Sequence, residues 1–267
     1  MMRSKMARLV LILALLLPVY FAGAALGARF GLYDWRFGLG TLIVEWGPKL
    51  LIGLLVVAIV TLVATLAKAP RRGWRSALVA VLIPALGLGY LAWARAQSAD
   101  IPPIHDVSTR PNDPPPFSAA LLSQRAESPD TNPVVSLTVP ISTLKKYEGP
   151  RFAQMAGQTL GQIAAEAYPS VRPLITTATP EVAYAAALAE ARAKGWAIVS
   201  EDASTGTLNA TATTFWFGFK DDVAVRVQAE GAGSVIDVRS TSRVGLGDIG
   251  ANAARIEGYL DGVKQRL

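Results

Sequence analysis

The sequence predicts a membrane-anchored α+β protein, with three transmembrane helices followed by a two-layer α/β sandwich that has a mainly antiparallel sheet. Composition is the first observation behind this prediction: 51% of the 267 residues are hydrophobic and only 17% are charged, whereas an ordinary soluble domain holds about 25% charged residues. Patterning is the second. Long apolar runs fill residues 1–98, and residues 150–267 alternate between helical and strand periodicity.

Three runs contain no charged residue and are flanked by basic residues: Leu9–Ala28, Leu50–Ala67 and Ser76–Ala94. A helix of about 20 apolar residues crosses the hydrocarbon core of a bilayer. Residues 1–98 are therefore predicted to form a membrane domain with spans at about 9–28, 50–67 and 76–94. The first run has an alternative interpretation as a cleaved signal peptide, because basic residues precede it and small residues end it.

Basic residues predict the orientation of these spans. They cluster before the first span and between the second and third: Arg3, Lys5, Arg8, Lys68, Arg71, Arg72 and Arg75. Cytoplasmic loops are enriched in Lys and Arg. The N-terminus is therefore predicted to be cytoplasmic and everything after Arg95 extracytoplasmic. The absence of cysteine from the sequence is compatible with a periplasm-like compartment without requiring one.

The net charge of +6 does not indicate nucleic-acid binding. Residues 1–98 hold 11 Lys/Arg and 2 Asp/Glu, while residues 99–267 hold 15 and 18. The basic excess thus belongs to the membrane domain, and the remainder is mildly acidic. We expect the bilayer as a partner, an envelope protein or a second copy of the chain as further candidates, and no nucleic acid.

Residues 99–149 contain nine prolines, which exclude a continuous helix and predict an extended strap. Ile104–Ser108 has strand character within it. His105 is the only histidine of the sequence and lies beside Asp106. A metal site would need further ligands, and a hydrolase would need a nucleophile in a strained turn, for which no G-x-S-x-G motif is present. A structural role is the alternative for His105. We predict no catalytic residue, metal site or cofactor.

Residues 150–267 are predicted to form the soluble α+β domain. Apolar spacing predicts a helix from Pro150 to Ala167, a strand over Val171–Thr177, and a helix from the Thr179 cap to Lys194. Strands follow over Trp196–Ser200 and Gly206–Gly218. Asp221 and Asp222 are expected in the next turn, and Asp248 is expected to cap a final amphipathic helix.

Two alternating segments flank Gly231-Ala232, which predicts a two-residue hairpin of the II′ kind. Positions whose numbers sum to 463 then face each other. Val225 meets Val238 on one face, and Arg226 meets Asp237 on the other.

Several strings of this sequence resemble an uncharacterised bacterial family, domain-of-unknown-function family 1499. They are Trp196-Ala-Ile-Val-Ser200, Thr214-Phe-Trp-Phe-Gly-Phe-Lys-Asp-Asp222, Val225-Arg-Val227, Ile236-Asp-Val-Arg-Ser240, Ser242-Arg-Val-Gly245 and Asp248-Ile-Gly-Ala-Asn-Ala-Ala-Arg-Ile256, with His105-Asp106 and Pro114-Pro-Pro-Phe117 upstream. The resemblance covers about Ile101 to Leu267. It implies a membrane-tethered bacterial domain, here in the plasma (inner) membrane with a periplasmic C-terminal domain, and carries no activity.

The polar residues of these strings have two interpretations. In one, Asp221, Asp222, Arg226, Asp237 and Asp248 form a structural polar network. In the other, four residues bind a ligand or anion: Arg239, Arg243, Arg255 and Asn252. Three function classes stay open: an envelope domain that binds a protein, lipid or wall component; an envelope hydrolase using Asp residues with His105; and a transport accessory subunit.

Overall fold

The computed structural model describes residues 2–67, 69–98, 101–128 and 130–267. Lys68 and the first two residues of the predicted strap, 99 and 100, lie outside the described residues. The chain divides into two compact units. One comprises Met1–Asp100 with Phe215–Gly218, and the other Ile101–Thr214 with Phe219–Leu267.

The first unit contains three long helices, α1 (Met2–Arg29), α2 (Gly47–Leu66) and α3 (Trp74–Gln97). All three are long and apolar enough to cross a membrane, which confirms the predicted spans. A π-helical segment, Arg36–Trp46, runs directly into α2. The second helix therefore begins at Arg36, upstream of the predicted start at Leu50.

Small residues allow close contact between these helices. Ala14, Ala58 and Ala80 are fully buried with Val10 in one cluster, whereas many Leu, Ile and Val side chains are exposed on the outside of the unit. Small side chains at helix interfaces and large apolar ones facing outward are typical of membrane bundles. Gly87 allows a close approach between α3 and α2, since a Cβ at this position would lie 2.8 Å from Leu51.

The second unit contains a six-stranded antiparallel sheet. Its strands are β1 (Asp106–Ser108), β2 (Leu174–Thr176), β3 (Ala197–Asp202), β4 (Thr207–Thr213), β5 (Lys220–Glu230) and β6 (Gly233–Ser242). The order is β1-β6-β5-β4-β3, with β2 paired to β6 beside β1. The α+β class and the antiparallel sheet are as predicted.

The β5–β6 hairpin has the predicted register. Val225 faces Val238 and Arg226 faces Asp237. The loop is the expected pair, with Gly231 at a φ of 58°. This positive φ is what makes glycine favourable at the first position of a II′ turn.

Helices cover both faces of the sheet. On the face of Val225 and Ile236 lie α5 (Leu160–Ala167), α6 (Pro180–Ala193) and α7 (Ala251–Lys264). Trp196 stacks on Tyr259 there, with ring centroids 4.9 Å apart. The opposite face carries α4 (Ala119–Ala126) and the segment before it, through Phe117 and Leu121 on Ala224.

Three local predictions were wrong. The helix expected over 150–167 is a 3₁₀ segment, Pro150–Met155, followed by α5, because Thr159 forms a capping box with Gln162 and starts a new helix. The strand expected to reach Gly218 ends at Thr213. Asp221 and Asp222 were expected in a turn, but they lie inside β5 and both are buried.

Candidate functional site

Arg239, the first predicted ligand-binding residue, is buried against the carboxylate of Asp106. Its Nε and Nη2 donate to the two carboxylate oxygens over 3.0 and 2.8 Å. β1 and β6 place the two residues on adjacent strands. In such a bidentate pair, two N–H groups of the planar guanidinium bind the two oxygens of one carboxylate, which here belongs to the protein itself.

Arg243 follows β6 and pairs in the same way with Asp222. Its Nε and Nη2 lie 2.9 and 2.8 Å from the carboxylate oxygens. Arg125 of α4 donates to the same carboxylate. Asp222 is completely buried, so two arginines compensate one carboxylate that has no contact with solvent.

Arg255 and Asn252 belong to α7, on the other face of the sheet. Arg255 forms an ion pair with Asp221, and Asn252 accepts from Ser240 Oγ over 2.6 Å. The structure therefore brings Arg255 together with Asn252 and separates them from Arg239 and Arg243. An anion at either pair would compete with the aspartates. Anion binding by these four residues stays a prediction.

The residues of the predicted structural network also have protein partners. Arg226 Nη2 lies 3.4 Å from Asp237, its cross-strand neighbour, and 2.8 Å from Asp113. The Asp248 carboxylate accepts from the backbone amides of Gly250 and Asn252 over 2.9 and 2.8 Å. Asp248 thus caps amides at the start of α7, although Gly250 directly precedes the helix.

A cleft of about 400 Å³ lies in the second unit. It is lined by residues of the segment predicted as a strap, 99–149, and by the start of α5. Val135, Leu144 and Leu160 supply apolar walls, and His105, Lys146 and Tyr147 also line the cleft, whose exposed surface is almost entirely apolar. We call it the lysine cleft. Cavities of this size, apolar with a few polar groups, are typical of small-molecule sites.

Lys146 is held at the cleft by neutral oxygens. Its Nζ donates to Asn132 Oδ1 and to the Gly245 carbonyl, each over 2.7 Å. It forms no ion pair with any residue that the structure describes. Burial lowers the pKa of Lys146 to about 8, so the ammonium form still predominates at neutral pH.

His105 is buried beside this lysine. Its Nδ1 lies 3.2 Å from the carbonyl oxygen of Leu246. A carbonyl only accepts, so Nδ1 carries the proton and cannot accept from Lys146, whose Nζ is 3.5 Å away. Burial, and then the Lys146 charge, lower the pKa of His105 to about 4.

Tyr147 adds an unpaired polar group. Its hydroxyl is buried without a hydrogen-bond partner among the described residues. Burial raises the pKa of Tyr147 to about 12, so the hydroxyl stays protonated. The hydroxyl itself is closed off from solvent, and leaving it unpaired costs about 1–3 kcal/mol.

The loop that supplies the Gly245 and Leu246 carbonyls is strained. Ile249 has a φ of 54°, a left-handed conformation that β-branched residues rarely adopt. Strained backbone concentrates at functional sites.

Comparison with protein families identifies the family to which the second unit corresponds. Residues 106–263 match the family model described as "Protein of unknown function (DUF1499)". The chain belongs to the DUF1499 family. Comparison with curated proteins gives no match. The match extends from β1 into α7. It includes both groups of arginines and every lining residue of the lysine cleft except His105, which directly precedes it.

Sequence reasoning missed the lysine cleft of the DUF1499 domain. Lys146, Tyr147 and Asn132 lie in the proline-rich strap, where no periodicity assigns a face to a side chain. A signal was present in Lys145-Lys146-Tyr147, two cations and an aromatic residue that follow the apolar Leu144. Only the fold places them beside His105 and Leu160.

A hydrolase site needs His105 to meet a reactive carboxylate. In the structure, the His105 ring makes no hydrogen bond to a carboxylate of the described residues, and Asp222 is held by two arginines. Within the described ranges, no group of three or more His, Asp or Glu side chains is placed to hold a metal ion.

Proposed function

We propose that this DUF1499 protein is a cell-envelope binding protein. In this proposal three spans hold it in the bacterial plasma membrane, and its extracytoplasmic domain binds an amphipathic anion in the lysine cleft. Of the partner classes compatible with the sequence, a lipid-derived molecule with a carboxylate or phosphate head fits the cleft best. The observation that carries the proposal is the Lys146 ammonium at the edge of an apolar cavity, where no described residue gives it an ion pair.

Charge supports an anionic head group. The three arginines predicted to bind an anion, Arg239, Arg243 and Arg255, are already paired with aspartates, so they offer an incoming anion little net attraction. Among the described residues Lys146 is held by neutral oxygens, and exposed Lys145 lies beside it on the same 3₁₀ turn. Charged hydrogen bonds contribute about 1.5–3 kcal/mol where water is partly excluded.

The walls of the cleft support an apolar body. Val135, Leu144 and Leu160 line it together with Pro133, and none of these side chains offers a hydrogen bond. A tail in contact with them gains about 25 cal/mol for each Å² of apolar surface removed from water. A fully polar ligand would leave this surface unused.

The orientation of the chain in the membrane is also part of the proposal. Basic residues before the first span and between the second and third support a cytoplasmic N-terminus. The DUF1499 domain follows the third span and would therefore lie outside the cytoplasm, where amphipathic molecules of the envelope occur.

Photolabelling tests the proposal. The full chain is placed in nanodiscs of phosphatidylethanolamine and phosphatidylglycerol with a long-chain fatty acid that carries a diazirine on its alkyl chain. Labelled peptides are mapped by mass spectrometry. Label on the three spans serves as an internal standard, because any fatty acid in the bilayer reaches them.

We expect strong label on residues 133–160, reduced about tenfold or more in Lys146→Met, which corresponds to losing one charged hydrogen bond. Lys264→Met removes an exposed lysine of α7 and is the matched control. Cleft label no stronger than label on the surface of α7, or unchanged in Lys146→Met, would contradict the proposal.

A further inference from the structure

The connection between β4 and β5 exposes two aromatic side chains. Phe215 is 68% exposed and Trp216 is 53% exposed, with ring centroids 5.2 Å apart. Neighbouring aromatic rings exposed on a folded loop are typical of a contact surface.

This aromatic loop, Phe215–Gly218, is well defined. The Thr214 amide donates to the Phe219 carbonyl over 2.8 Å, and the Phe219 amide donates to Thr214 Oγ1 over 2.9 Å. Gly218 has a φ of 68°, which closes the turn. The loop thus presents its rings at little further cost in conformational entropy.

The aromatic loop belongs to the same compact unit as the candidate spans. Within that unit the Arg29 guanidinium lies 5.4 Å from the centroid of the Phe215 ring and donates to the Phe215 carbonyl. Arg29 is the last residue of α1. Basic residues at the end of a span lie at the level of the lipid headgroups.

We propose that the aromatic loop is an interfacial membrane anchor, in which Phe215 and Trp216 enter the headgroup region of the bilayer that holds the spans. Trp is enriched at this boundary because its ring is apolar and its N–H is polar. Arg29, at the end of α1, supplies positive charge that complements anionic headgroups.

This inference goes beyond ligand binding, since the aromatic loop and the lysine cleft share no residue. If the loop fails to contact lipid, the proposal for the cleft is unaffected.

Spin labelling of the full chain tests the anchor. The sequence contains no cysteine, so Trp216→Cys introduces a single thiol at an exposed position. Ala232→Cys, in the exposed β5–β6 turn, is the matched control. Both are labelled in nanodiscs of phosphatidylethanolamine and phosphatidylglycerol, and collisions with oxygen, which concentrates in lipid, are compared with those of a water-soluble nickel chelate.

We expect the label at 216 to collide more with oxygen than with nickel, and the label at 232 to show the opposite. A label at 216 as accessible to nickel as the one at 232 would overturn the inference. So would a label shielded from both reagents, which would indicate a protein partner.

A second measurement needs no spin label on the aromatic loop. Lipids brominated near the headgroup should quench the fluorescence of the unmodified protein more than that of Trp216→Phe. Equal quenching of the two proteins would also overturn the inference.

Discussion

Individual residues of the lysine cleft have titration properties that can be measured. His105 has a pKa of about 4 in the folded protein against the ordinary value of 6.5. The unfolded chain therefore binds a proton between these values that the folded protein does not bind. The contribution of neutral His105 to stability is complete above pH 6.5 and is lost as the pH falls towards 4.

We predict that this loss reaches about 3 kcal/mol at most, given 1.36 kcal/mol for each unit of pKa difference. His105→Asn keeps a donor for the Leu246 carbonyl and removes the titration, so the stability of the variant should fall less over this range. Hydrogen exchange of β5 and β6 amides in the full chain, corrected for intrinsic rates, measures the stability of the unmodified protein and of the variant. If the stability of the two proteins changed equally with pH, the lowered pKa of His105 would be contradicted.

The candidate residues were predictable from the sequence as a charged set, but their contacts were not. Arg239 and Asp106 are 133 positions apart, and no local pattern indicates that β1 pairs with β6. Lys146 was missed for the same reason, because the strap has no period that assigns its side chains to a cavity.

Among the elements, β5 lies inside the sheet, between β4 and β6. Its residue Asp222 binds Arg125 of α4 and Arg243, which follows β6. One carboxylate therefore joins the sheet to the segment that covers its outer face. Removing one member of a buried ion pair leaves the other charge uncompensated.

We predict that Asp222→Ala destabilises the second unit by about 3–5 kcal/mol. Glu230→Ala, at the exposed end of the same strand, is the control and should change stability by less than about 0.5 kcal/mol. Hydrogen exchange of the β5 and β6 amides in the full chain measures the stability of both variants. A cost below about 1 kcal/mol for Asp222→Ala would show that the arginines are compensated by other groups.

Elements with strong local signals were predicted correctly. The cap at Thr179 with Pro180 indicated α6, and alternation around Gly231-Ala232 gave the register of the hairpin. Failures occurred where tertiary contacts compete with a local pattern. The apolar spacing of 150–167 hid the new start at Thr159, and the run of aromatic residues after Thr213 resembled a strand although it forms the aromatic loop.

At the scale of the whole molecule, charge is partitioned between a basic membrane unit and a mildly acidic DUF1499 domain. The proposed orientation makes a simple prediction. Met2→Cys is exposed before the first span, and Ala232→Cys is exposed in the DUF1499 domain.

In intact cells whose outer barrier has been opened, a membrane-impermeant maleimide should label the cysteine at 232. The cysteine at 2 should react only after the plasma membrane is permeabilised. The opposite pattern would invert the topology.

The central claim is that Lys146 meets an anionic head group in the lysine cleft. Competitive acetylation across pH, followed by mass spectrometry of the full chain, gives the pKa of each lysine with and without a saturating long-chain fatty acid. We predict a pKa near 8 for Lys146 alone, raised when the carboxylate binds because an opposite charge stabilises the ammonium. Lys264 should not change. A Lys146 titration that is the same with and without the fatty acid would contradict the claim.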